Sequence, residues 1–210
     1  MKFMKLQLLI IALVGFVGSS AFAALSYDVS VDTTSLSGTS GYLYFQYVPI
    51  NAVESTAMVF NFATTGTLSA SPSPAGTLGG STGTLTTGTG AVTFDTANNA
   101  TDYNHGIQFG TNLNFSLLLN APVPGAPAGG VSTFSLGLFA DEAGLTPLLN
   151  TTGVNGSVPG TLFMVNLFND GTASTQVLTP QATVVPIPAA IWLLGSGLVG
   201  LVGIRRRSRA

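Results

Sequence analysis

Short apolar runs that alternate with polar residues, with no sustained helical period anywhere between the chain's two ends, narrow the possible folds most sharply. Residues 25–31 set Tyr27, Val29 and Val31 against Ser26, Asp28 and Ser30. Successive side chains of a strand point to opposite faces, so such a run has one face to bury and one to leave wet. Residues 42–48 are rich in aromatics, and residues 57–63 place Met58, Phe60 and Phe62 on one face. Residues 91–94, 106–109 and 112–119 follow in the same style. Residues 131–140 set Phe134, Leu136 and Leu138 opposite Val131, Thr133, Ser135, Gly137 and Phe139. Residues 161–168 and 175–178 close the series, and Asn169-Asp170-Gly171 between them is a hairpin signal. Gly, Pro, Asn and Thr bound these runs. About ten strands and no helix predict an all-β body, an antiparallel β-sandwich of jelly-roll-like form.

The body occupies residues 24–180 and is long enough to bury one core without disulfides, which the absence of cysteine rules out in any case. Residues 64–90 form a Thr/Gly/Ser/Pro stretch. It reads either as a flexible loop or, because Leu68, Leu78 and Leu85 recur in it, as weak edge strands. Residues 121–130 read as a connection, and 180–184 as the start of a stalk.

Charge separates the body from its ends. Only 7% of residues are charged. All six basic ones are terminal (Lys2, Lys5, Arg205, Arg206, Arg207 and Arg209), while all eight acids lie from Asp28 to Asp170. A body without Lys or Arg has nothing with which to neutralise phosphates, which excludes nucleic acid as a partner and argues against nucleotide chemistry. No thiolate metal site is available either, and no cofactor is implied.

Both ends carry addresses. Residues 1–23 combine Lys2 and Lys5 with an apolar stretch of about 12 residues, too short to span a bilayer, and end in Ala21-Phe22-Ala23. This is a signal peptide with an A-x-A cleavage site for signal peptidase, and Ala24 becomes the first mature residue. The other end, residues 181–210, has three parts. Val185-Pro186-Ile187-Pro188 is an extended, accessible segment, because each proline biases its predecessor away from helix. Ala189 to Ile204 is an uncharged, mostly apolar run of about 24 Å as a helix, short for a bilayer but able to span one with its flanks. Pro188 suits the first turn of that helix, and Trp192 suits the membrane interface. Small residues including Gly195 and Gly200 recur in it, as is common in membrane helices. Arg205, Arg206, Arg207 and Arg209 then form a cytoplasmic stop that leaves the body outside.

The ordered combination of motif, apolar helix and arginine cluster resembles a PEP-CTERM sorting domain, a signal handled by exosortases in Gram-negative bacteria. Val185, Pro186 and Pro188 match its motif, and Ile187 stands where the name-giving glutamate would be. The body is similar to a group of uncharacterised PEP-CTERM proteins. The likeness runs through Tyr27-Asp28-Val29-Ser30-Val31-Asp32-Thr33, through Gly41-Tyr42-Leu43-Tyr44-Phe45, and through the pair 134–149 and 162–179. The resemblance implies that an exosortase, a membrane protease-transpeptidase supplying its own catalytic cysteine, cuts near Val185–Pro188. It implies an inner-membrane intermediate and delivery to the cell surface or extracellular matrix. It brings no activity with it. A permanently anchored type I membrane protein is the alternative for the tail.

Three candidate chemistries remain in the body. Asp102 and the only histidine, His105, lie in a polar segment read as a loop, and with a serine they are the members of a hydrolase triad; no G-x-S-x-G turn accompanies them, so His105 is taken as a surface residue. Asp141, Glu142 and Asp170 sit in turns where Ca²⁺ can bind, but Asp suits turns without a metal, so no metal site is assigned. Tyr27, Tyr42, Tyr44, Tyr47 and Tyr103 can either fill the core or face a sugar. The expected function is therefore that of a non-enzymatic exported structural protein of the surface or matrix. A surface module that binds exopolysaccharide is the second reading.

Overall fold

The computed structural model describes residues 24–73, 81–98, 100–120, 126–149, 151 and 159–188. Twelve strands follow one another among them: β1 (Leu25–Asp32), β2 (Ser40–Ile50), β3 (Thr56–Thr64), β4 (Thr67–Leu68), β5 (Ser81–Thr84), β6 (Ala91–Asp95), β7 (Thr101–Gln108), β8 (Asn112–Asn120), β9 (Val131–Phe139), β10 (Thr161–Phe168), β11 (Ala173–Val177) and β12 (Ala182–Ile187). The only helical pieces among the described residues are two three-residue 3-10 turns. One sheet has the order β12-β1-β8-β3-β6-β5 and the other β11-β10-β9-β2-β7-β4. Every pairing is antiparallel. Six of the first eight strands pair in a nested way, β1 with β8, β2 with β7 and β3 with β6, the first and third pairs in one sheet and the second in the other. The chain is thus all-β, with two antiparallel sheets forming a sandwich.

The alternation in the sequence becomes the inner faces. Tyr27, Val29 and Val31 of β1 meet Leu43, Phe45 and Tyr47 of β2 across one core, with Leu113, Phe115, Leu117 and Leu119 of β8 beside them. Its centre is aromatic. Phe134 lies 5.7 Å from Phe94 at 81° and 6.2 Å from Phe45, and Phe45 lies 5.6 Å from Phe115 at 80°. Edge-on contacts of this kind set the negative face of one ring against the positive edge of the next. In a chain without disulfides this cluster replaces covalent ties between the sheets.

In two places the structure departs from the expected pattern, and in residues 64–90 it takes the second of the two readings, edge strands. Residues 57–63 do not keep one face: Ala57 and Val59 are buried, Met58 and Phe60 are only half-buried, and Phe62 is buried again. A bulge between Phe60 and Ala63 makes the switch, with Asn61 at φ +54°. An extra residue reverses the alternation, and Asn is one of the few residues that accept a left-handed conformation. Within residues 64–90, β4 and β5 are short outermost strands, and Leu85 is buried. Finally, residues 182–187 are no stalk. They form β12, with Ala182 buried and Val184 packed on the core. Without β12, strand β1 would be an open edge above Tyr27, Val29 and Val31.

Candidate functional site

The motif Val185-Pro186-Ile187-Pro188 lies almost wholly in the sheet. Ser26 pairs with Ile187, Tyr27 with Pro186, Asp28 with Val185 and Val31 with Ala182. Proline has no N–H to give, so Pro186 fits this ladder only where its nitrogen points away from β1, toward the free edge. The 2.9 Å bond from Asp32 N to Gln181 O has the parity this requires. Val185 is 51% exposed and lies on the outer face, beside a hollow of about 330 Å³ that Asp28, Ser30, Asn114 and Ser116 also line. Pro188 is exposed and follows the strand.

Ala24, the expected first mature residue, is exposed, and β1 begins at the next residue. The two segments read as addresses therefore leave the sandwich from one corner, at the Ser26–Ile187 pair. Ala21 and Ala23 lie outside the described residues. So do Ala189, Trp192, Gly195, Gly200, Ile204 and the cluster Arg205, Arg206, Arg207 and Arg209. No helix among the described residues is long and apolar enough to cross a membrane.

Asp102 and His105 are not in a loop. Both belong to β7, where they are 3% and 1% exposed. Three residues apart on one strand, they point to opposite faces, so the geometry divides the pair that a triad would need together. His105 is fully engaged. Leu85 N–H donates to the Tyr103 hydroxyl (2.8 Å), which donates to His105 Nδ1 (2.8 Å), while Nε2–H donates to Ser69 O (2.9 Å). The carbonyl at the far end can only accept, so Nε2 carries a proton, and in the singly protonated ring Nδ1 is then the acceptor for the Tyr103 hydroxyl. This relay pins the stretch after β4 and the one after β5 to β7.

Three of the tyrosines are core residues. Tyr27, Tyr47 and Tyr103 are at most 4% exposed. Burial raises each phenol above its ordinary 10, with hydrogen bonds from Thr175, from Ser55 and Ser132, and from the Leu85 backbone offsetting part of the rise. Tyr42 and Tyr44 instead stand on the outer face of the second sheet, half-buried. Tyr44 donates to Asp102 Oδ2 at 2.8 Å. Burial first, then the Asp102 hydrogen bond and charge, push its phenol to about 12.

A loop after β9 crosses that outer face. Asp141 shapes it by accepting from Leu145 N (3.0 Å) and Thr146 N (2.6 Å), which holds its carboxyl below the usual range. Asp170 does the same in its hairpin for Thr172 N and Oγ1. Turn formation accounts for both carboxylates, and no group of three or more His, Asp or Glu among the described residues has metal-binding geometry. Phe139 anchors the loop by folding back over Gly137 and meeting Tyr44 edge-on at 5.7 Å. Asn104 Nδ2 donates to Glu142 O at 2.8 Å.

This loop divides the outer face. On one side a small hollow of about 180 Å³ lies among Tyr44, Gln46, Gly137 and Thr161. On the other, two adjoining hollows of about 460 and 290 Å³ share Tyr42, Ser69 and Gly106 and form one trough. It runs from Gln108 and Thr67 at one end to Pro72 and Glu142 at the other. Sequence reasoning named Tyr42 and Glu142 but did not join them, because their closeness depends on how the loop after β9 lies over β2 and β7. Ser69 and Gly106 carried no signal at all.

No family model, curated protein or solved structure matches this chain.

Proposed function

We propose that the chain is a non-enzymatic exported protein, a jelly-roll-like sandwich delivered to the cell surface or extracellular matrix by its two terminal signals. Signal peptidase would remove residues 1–23. The apolar tail would hold the inner membrane with its arginines inside, and an exosortase would act near Val185–Pro188. The observation that carries this reading is the corner where Ser26 pairs with Ile187. Both addresses leave from it, so removing residues 1–23 and cutting just after Pro188 would leave the core closed, whereas a cut inside residues 185–187 would first need the end of β12 to peel from β1; until release the body would hang from the membrane by one point. The nested strand pairing supports the jelly-roll description. The division of Asp102 from His105 and the saturation of His105 support a non-enzymatic role.

Intact mass spectrometry on the protein from its native host, in membrane and released fractions, tests the proposal. The expected species begins at Ala24 and ends within or just after residues 185–188. A protein that keeps Arg205 to Ala210 in every fraction would establish a permanent type I anchor and end the sorting reading.

A further inference from the structure

From the trough on the outer face of the second sheet, we infer a binding site for a neutral oligosaccharide. Tyr42 rises from β2 as one wall, and its ring overhangs a floor that Gly106 leaves bare. A Cβ added at Gly106 would sit 3.7 Å from Tyr42 Cε1 and 3.2 Å from Ser69 Oγ, inside the space a ligand needs. The opposite wall is the strap that continues β4 along β7, held by Ser69 N to Gly106 O (2.8 Å) and Ser73 N to Asn104 O (2.9 Å). Thr67, Leu68, Ser71, Pro72, Gln108 and Glu142 add to the lining.

Size, shape and charge select the ligand. The larger hollow, about 460 Å³, falls within the range of small-ligand sites, and one aromatic wall among polar residues suits a sugar ring, apolar on its faces and hydroxylated at its edge. A peptide would call for deeper apolar pockets than this open trough, with Tyr42, Leu68, Pro72, Ile107 and Ala140 as its apolar residues, provides. An acidic polysaccharide would need a cation, and the chain has no Lys or Arg from residue 6 to residue 204. The site itself does not depend on the sorting proposal. Its ligand being a matrix polymer does rest on that reading.

The test uses the full chain in a detergent without a sugar headgroup, titrated calorimetrically with neutral gluco-, manno- and xylo-hexasaccharides and with a uronate hexasaccharide. At least one neutral probe is expected to bind. Tyr42→Ala and Gly106→Val should each weaken that binding by about tenfold or more, the first by removing the wall and the second by filling the floor. Gln46→Ala, across the loop, should leave it unchanged. Thermal unfolding within about 3 °C of the parent shows that the variants are folded. The inference is overturned if no neutral probe binds at millimolar concentration, if only the uronate binds, or if Tyr42→Ala and Gly106→Val bind as the parent does. None of these results bears on the processed ends of the chain, so a failure here leaves the mass measurement to decide the sorting proposal separately.

Discussion

Gly137→Ala should destabilise the protein through one identifiable contact. Gly137 is buried in β9, and an added Cβ would lie 2.5 Å from Phe139 Cε2 and 3.0 Å from Cζ. Carbon atoms pack at about 3.5–4.0 Å, so something must move. The ring cannot simply turn aside. Tyr44 meets it edge-on at 5.7 Å, and Gly160 approaches so closely that a Cβ there would come within 2.8 Å of Cε1. Overpacking of this kind costs about 1–3 kcal/mol. Replacing glycine stiffens the unfolded chain and returns about 0.4–1 kcal/mol. A net loss of about 1–2 kcal/mol remains, or roughly 2–8 °C in Tm for a domain of this size. Thermal unfolding of the full chain, followed by near-ultraviolet circular dichroism, reads it. The decisive arm repeats the substitution in a Phe139→Ala background, where only the stiffening of the unfolded chain remains and Gly137→Ala should stabilise by about 0.4–1 kcal/mol, giving a coupling of about 1–3 kcal/mol. Equal costs in the two backgrounds, to within about 0.5 kcal/mol, would show that Phe139 does not lie over Gly137.

Other consequences follow from the same contacts. His105→Ala cuts the relay and leaves the buried Tyr103 hydroxyl without its acceptor, so a loss of about 2–3 kcal/mol is expected; an unchanged Tm would remove the structural role given to this histidine. Tyr27, Tyr44, Tyr47 and Tyr103 all have phenols raised by burial, so the folded state holds protons that the unfolded chain releases near pH 10. Their stabilisation is complete below that pH and is lost as pH rises toward the Tyr44 value of about 12; a urea midpoint that stays level to pH 12 would contradict it. Asp32, Asp141 and Asp170 have lowered carboxyl pKa values because turn donors hold their charged forms. Their contribution is present above the ordinary 3.8 and fades as pH falls through the lowered values, so Asp141→Asn should flatten the acid limb of the stability profile, and an unaltered limb would show that the turn bonds do not form.

The inner faces of most strands were readable because they obey a period of two. Residues 25–31 carry their burial openly in the order of apolar and polar side chains, whereas in residues 131–138 Ser132, Ser135 and Gly137 are buried as well. Residues 57–63 misled because one bulge at Asn61 reverses the alternation, and a bulge leaves no mark in a hydrophobic pattern. Residues 101–105 misled for a different reason. Asp102, Asn104 and His105 look like loop residues, yet each finds partners in segments far along the chain, and burial follows partners rather than polarity. The tail motif was read as extended and is extended, but its pairing with β1 spans almost the whole chain and has no local signature.

The sequence alone determined that this is a β protein with basic ends, an acidic body and no disulfide, since period, charge and cysteine count are properties of neighbours and of totals. Tertiary structure alone decided that the first strand of the body and the segment before the tail close one edge together. It alone divided Asp102 from His105, and it alone brought Tyr42, Ser69, Gly106 and Glu142 around one trough. The physical reason is the same in each case. Antiparallel pairing joins residues by register rather than by distance along the chain, and register is set by the summed burial of whole strands, which no local stretch of sequence contains.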